Sequence, residues 1–246
     1  MQYQTDEAEP QASEQAAAET PGIRQPVPYY TIVLIAAIVM VAAVQMVTGL
    51  DASILAAGFD KPVFINEKEY WRILTGATLH GGLLHVGMNC YAFYSFGRIF
   101  ELLSNRAHLA IVFLLSAIGG GILSLIFAPD GLPSVGASGG IVGLVSYLAV
   151  YAFKRRQFVS AEFRKSLLQN IGFILVFGLV LYQVIDNFGH IGGLIAGAVY
   201  GAIQIPSDEH TDPRIANSAT ETAGLAALGI YIAACGFSIL LILRLI

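Results

Sequence analysis

The chain has 246 residues, of which 56% are hydrophobic and only 12% charged, and its mean hydropathy is +0.68; an ordinary soluble domain is excluded and a polytopic membrane protein is expected. The formal net charge is −4, and Asp6, Glu7, Glu9, Glu14 and Glu19 face a single Arg24 near the amino terminus, which argues against nucleic acid as a partner. Cys90 and Cys235 stand in separate apolar segments, so neither a disulfide framework nor a cysteine metal site is expected.

Residues 1–27 are polar, rich in Ala, Gln and Glu, and end in Pro-containing sequence. Without a basic stretch leading into an apolar core, they predict a disordered acidic cytoplasmic tail and not a cleaved signal peptide. A spanning helix needs roughly 20 apolar residues to cross about 30 Å of hydrocarbon. Seven segments qualify, at about 30–50, 81–102, 108–127, 138–153, 167–185, 188–205 and 222–243. Six of them make a core over 28–205, a linker at 206–221 is placed in the cytoplasm, and 222–246 adds a seventh span. The fourth segment is short. The connection before His80 carries Glu67-Lys68-Glu69-Tyr70-Trp71-Arg72, which suits the membrane interface.

Lys154, Arg155, Arg156, Arg164 and Lys165 fall between the fourth and fifth spans, and the positive-inside rule assigns that connection to the cytoplasm. The amino terminus is then cytoplasmic, the loops at 51–80 and 129–135 are external, and the carboxyl terminus emerges outside.

Ionisable and polar side chains inside a span are costly and usually face the bundle interior. His85 and Asn89 are four apart and share one face of the second span, Ser138 opens the fourth and His190 opens the sixth. Counted from the cytoplasmic ends, Ser138, His85 and His190 lie at depths of about 24, 24 and 21 Å at about 1.5 Å per residue. All three are expected near one submerged plane. Gly189, Gly193, Gly197 and Gly201 recur every fourth residue in the sixth span, and Gly139 and Gly143 do so in the fourth. Small residues so spaced let helix backbones approach closely, which would bring His190 beside Ser138.

A serine hydroxyl becomes a useful nucleophile when a base removes its proton, and histidine is suited to that near neutral pH. Ser138 and His190 supply such a pair; the backbone N–H of Ser138, the His85 ring and the Asn89 amide are candidate donors to an oxyanion. Gly136 and Gly139 would let a substrate backbone come close. Asp186 precedes His190 by four residues and reads as a structural cap or a loop residue, so a dyad is expected in place of a triad. No HExxH occurs, and the five-residue spacing of His80 and His85 separates their faces, so zinc is not expected. An aspartate-pair mechanism lacks its second intramembrane aspartate, and no cofactor is called for.

Glu69-Tyr70-Trp71-Arg72, the run from His80 to Asn89, Gly136-Ala137-Ser138-Gly139 and Gly189-His190-Ile191-Gly192-Gly193 together resemble the rhomboid intramembrane serine proteases, in that family's order, over about 71–201. The resemblance implies an all-α, six-helix membrane bundle open to water from outside, here with one added carboxyl-terminal span. It implies Ser138 as nucleophile, His190 as general base, and His85 and Asn89 as oxyanion donors. Trp71, Arg72 and His80 would be structural, as would Gly136, Gly139, Gly193 and Gly197. Many members carry an aromatic residue one turn after the serine, where this chain has Val142, so the imidazole is expected to be held differently. Single-span membrane proteins are the implied substrates, lipid the surroundings, and a bacterial inner membrane the expected location. A noncatalytic binding or quality-control factor on the same fold, or a transporter, are the rival readings.

Overall fold

The computed structural model describes residues 27–131 and 133–246; apart from Val27, the expected acidic tail lies outside them. Helices α1 (Tyr29–Thr48), α2 (Leu50–Ala57), α3 (Lys61–Asn66) and α4 (Arg72–Thr75) are followed by a 3₁₀ turn at Gly76–Thr78. Then come α5 (Leu83–Leu103), α6 (Arg106–Phe127), α7 (Ser138–Lys154), α8 (Ala161–Val180), α9 (Asn187–Gln204) and α10 (Ser218–Ile242). No strand forms among the described residues, and one isolated antiparallel bridge joins Phe59 to Ser134.

The long helices α1 and α5–α10 stand where spans are expected. Four of them, α1, α6, α8 and α10, are long and apolar enough to cross a membrane by length and composition alone. The other three are α5, α7 and α9, the helices that carry His85, Ser138 and His190. Their polar side chains, glycines and, for α7, a length of 17 residues dilute the signal. α7 is buried along nearly its whole length, including Ile141, Val142, Leu144, Val145 and Leu148, as expected for a helix surrounded by others.

Several boundaries differ from the expected ones, and caps explain them. α8 begins at Ala161 and not near 167, because the Ser160 hydroxyl accepts from the Phe163 N–H at 3.1 Å. Arg164 and Lys165 are therefore helical, and the Arg164 guanidinium turns back to the carbonyls of Arg156 and Val159. α10 begins at Ser218, capped by the Asn217 side chain on the Thr220 N–H at 2.8 Å. The long connection before His80 is not an open loop but three short helices and the 3₁₀ turn.

Aromatic pairs lock the bundle centre: Phe93 stacks on Phe113 at 4.6 Å and Phe100 on Tyr147 at 4.3 Å, tying α5 to α6 and α7. α9 lies against both α6 and α7 through backbone-to-backbone contact. A methyl group at Gly193 would be driven into the carbonyl of Gly139, one at Gly197 into that of Gly143, and one at Gly192 into that of Gly119. The expected α7–α9 glycine contact forms, and Gly119 and Gly120 of α6 complete it from the other side.

α10 packs on α1 and α6 and braces the segment that leads to His80. The Tyr231 hydroxyl donates to the Ala77 carbonyl at 2.9 Å, Thr78 and Ser238 share a buried hydroxyl pair at 2.8 Å, and Phe237 meets Trp71 edge-on at 5.3 Å. Tyr231→Phe and Ser238→Ala each remove one of these bonds and should each lower stability by about 1 kcal/mol. Thermal unfolding followed by the fluorescence of Trp71, the single tryptophan, measures it.

Candidate active site

Ser138 is the first residue of α7, so its N–H and those of Gly139 and Gly140 begin the helix without intrahelical acceptors. These donors and the helix dipole favour negative charge at this end. The chain reaches Ser138 through Gly136, whose φ of +132° is one that side-chain-bearing residues rarely adopt. A Cβ there would also come within 2.9 Å of the His85 ring. Gly136 is thus required twice, once for the turn and once for the imidazole.

The Ser138 hydroxyl lies 2.8 Å from His190 Nε2, across 52 residues of sequence. His190 sits in the first turn of α9, and the glycine contacts between α7 and α9 set the separation of the two side chains. The pair that the spacing predicts is therefore formed. His190 Nδ1 is buried without a hydrogen-bond partner among the described residues. Val142 is buried one turn below the serine.

His85 lies on α5, facing the same point. Its Nδ1 accepts from the Gly81 N–H at 3.1 Å, so the neutral ring carries its proton on Nε2. That Nε2 lies on the Gly136 side, where an attached Cβ would be 3.0 Å from it and 3.6 Å from Ser138 Oγ. Asn89 lies one turn further along α5, buried, with its amide nitrogen donating to the His85 carbonyl at 3.0 Å. One of its two N–H groups is thereby engaged within its own helix.

Trp71 and Arg72 hold together a rim formed by α2–α4 and the 3₁₀ turn that leads to His80. The Arg72 guanidinium is buried, pairs with Glu69 at 2.5 Å and donates to the Gly58 and Leu55 carbonyls at the end of α2. It also lies over the Trp71 ring at 4.9 Å. His80 is fully buried, with its ring edge-on to His85 at 5.1 Å and neither ring nitrogen bonded to a protein group among the described residues. Its backbone is what is held: Gln45 donates to the His80 carbonyl at 3.1 Å and accepts from the His80 N–H at 2.9 Å.

Gln45 is a residue that sequence reasoning missed. The signal was available, because an amide in an otherwise apolar span must find a partner. Gly139, Gly193 and Gly197 all lie in the α7–α9 contact, as their spacing predicts.

Fold and site together define an integral-membrane helical bundle with a partly buried serine–histidine hydrogen bond at the start of a short central helix. The Rhomboid domain model matches residues 67–207, more than half of the sequence, and the chain belongs to the rhomboid family. It is 34% identical over 145 residues to "Rhomboid protease GluP" of Bacillus subtilis (strain 168), covering 59% of this chain and 28% of that protein. It is 34% identical over 150 residues to "RHOMBOID-like protein 6, mitochondrial" of Arabidopsis thaliana, covering 60% of this chain and 47% of that one. It is also 33% identical over 131 residues to "Inactive rhomboid protein 1" of Papio anubis, covering 52% and 15%. The match spans less than half the length of these relatives. The family includes proteases and inactive members alike, so catalysis has to be argued from the site.

Proposed function

We propose that the chain is an intramembrane serine endopeptidase that cleaves single-span membrane proteins in or near their transmembrane helix, using Ser138 and His190 as a dyad. The observation that carries this reading is the 2.8 Å contact between Ser138 Oγ and His190 Nε2. His190 Nε2 takes the hydroxyl proton as Oγ attacks the scissile carbonyl carbon, and the carbonyl oxygen becomes an oxyanion. His85 Nε2–H and the Ser138 N–H donate to that oxygen, and the second N–H of Asn89, which the His85 carbonyl leaves over, is assigned as a third donor. The imidazolium then gives its proton to the departing amine nitrogen, leaving an acyl-serine. Water, deprotonated by His190, hydrolyses the ester and restores the hydroxyl.

A substrate helix hides its carbonyls in its own hydrogen bonds, so the preferred substrates are those that unwind readily at the cleavage point. The basic cluster at Lys154, Arg155, Arg156, Arg164 and Lys165 supports a cytoplasmic amino terminus, with the site opening to the other side. A bacterial inner membrane, with its lipid as the surroundings, is the compartment we infer. Similarity to an inactive rhomboid protein favours one second reading, a noncatalytic membrane-protein binder. Against it stands the presence of both Ser138 and His190.

A fluorophosphonate probe distinguishes the two. The purified full chain should be labelled, with labelling abolished in Ser138→Ala and His190→Ala while both variants keep the native unfolding temperature. An intact Ser138 that stays unlabelled, together with single-span substrates that stay uncut, would overturn the protease reading.

A further inference from the structure

Asp186 does more than cap α9. Its Oδ1 accepts from the Gly189 N–H at 2.8 Å, which is the cap, and its backbone carbonyl accepts from the His190 N–H at 3.2 Å. Its other carboxylate oxygen, Oδ2, accepts from the Ser134 hydroxyl at 2.7 Å. Ser134 lies four residues before Ser138, on the segment that turns through Gly136 into α7. That segment is itself stitched to the rim. The N–H of Ser134 donates to the Phe59 carbonyl at 2.8 Å, the N–H of Phe59 donates back at 3.1 Å, and the N–H of Gly136 donates to the Gly76 carbonyl at 3.0 Å. One carboxylate therefore joins the approach to Ser138 to the first turn of the helix that bears His190, and backbone bonds of that same approach hold it to the rim.

We propose that Asp186 is a positioning residue whose hydrogen bond to Ser134 sets the Ser138–His190 geometry from the open end of the site. The inference rests on the protease reading for its catalytic consequence, while the link itself is independent of it. Asp186 makes no hydrogen bond to the His190 ring, so it acts through the backbone and not as a third member of a triad. The glycine contacts fix how far apart α7 and α9 lie, and at the far end of the pair the Lys154 ammonium of α7 donates to the carbonyls of Ala202 in α9 and of Ile205 just after it. The Ser134–Asp186 bond supplies the corresponding tie at the site end, because it joins the approach to α7 to the start of α9. Gly189 suits this arrangement, since a Cβ there would come within 2.9 Å of Asp186 Oδ2.

The test is a double-mutant cycle on the full chain in lipid, read by the saturable labelling of Ser138 with a fluorophosphonate and by amide exchange over 186–190. Ser134→Ala keeps the cap and removes only the link; its maximal labelling rate should fall roughly 5-fold, with the probe concentration at half-saturation unchanged. Asp186→Ala loses link and cap together and should fall further. Adding Ser134→Ala to it should cost nothing more, which is the non-additivity of two groups sharing one bond. Asp186→Asn should recover most of the rate, because its amide oxygen still accepts from Gly189 and its nitrogen can donate to Ser134. Exchange over 186–190 should quicken in Ser134→Ala. Independent, multiplying losses, or native labelling and native exchange in Ser134→Ala, overturn the proposal. A wild-type chain that never labels, with exchange still quickened by Ser134→Ala, overturns the protease reading and leaves the link standing. Absent labelling with unchanged exchange overturns both.

Discussion

Gly193→Ala should cost about 1–3 kcal/mol of stability by overpacking and slow the labelling of Ser138 by about 100-fold, because a misplacement near 1 Å is enough for that. The added methyl meets the carbonyl oxygen and carbonyl carbon of Gly139, which are backbone atoms of the first turn of α7 and cannot rotate out of the way. Relief must come from the helices moving apart, and Ser138 and His190 sit one residue before Gly139 and three before Gly193 on the two surfaces that separate. A control at Gly229 of α10, where an added Cβ meets nothing within 4 Å among the described residues, should leave both measurements near native. Thermal unfolding by Trp71 fluorescence and the probe rate are the readouts. Unfolding and labelling in Gly193→Ala that match those of Gly229→Ala would mean that the close contact does not hold the pair.

The parts of the site legible in the sequence are those that depend on position along a helix. Depth is a linear count of residues, so Ser138, His85 and His190 could be placed near one plane before any fold was known. Four-residue glycine spacing is equally local and brought α7 to α9. Helix starts were less legible where a cap and not lipid sets them. The apolar window saw α8 only from about 167, because Arg164 and Lys165 are polar, while the Ser160 cap begins the helix at Ala161. Least legible were bonds across long stretches of sequence. Asp186 reads as a cap, and it is one, yet nothing near it in sequence points to Ser134, 52 residues away. Gln45 and His80 are 35 apart and Tyr231 and Ala77 are 154 apart. Such pairs are decided by how helices meet, and hydropathy and spacing carry no information about that. The same holds for the proton on His85, which follows from the Gly81 N–H and not from the residue type.

That proton leads to the second large effect. On the protease reading, His85→Ala should lower the maximal rate of Ser138 labelling and of substrate cleavage by about 100- to 1000-fold, the usual loss for one oxyanion donor. Gly81 N–H occupies Nδ1 and so leaves Nε2–H as a donor of fixed direction, already on the Gly136 side of the serine. A donor that needs no reorientation as charge develops is worth most in the transition state, so the loss should fall on the maximal rate and leave half-saturation nearly unchanged. His85→Gln tests direction as well as presence: its amide can donate but lacks the ring geometry that Gly81 fixes, and it should recover only part of the rate. Asn89→Ala should cost less than His85→Ala, because one of its two N–H groups already serves the His85 carbonyl. Loss of Asn89 also frees that carbonyl end of the turn, so its effect should include a small fall in unfolding temperature. If His85→Ala labels at the native rate, the oxyanion is held by the helix N–H groups of α7 alone, and the role assigned to α5 is wrong.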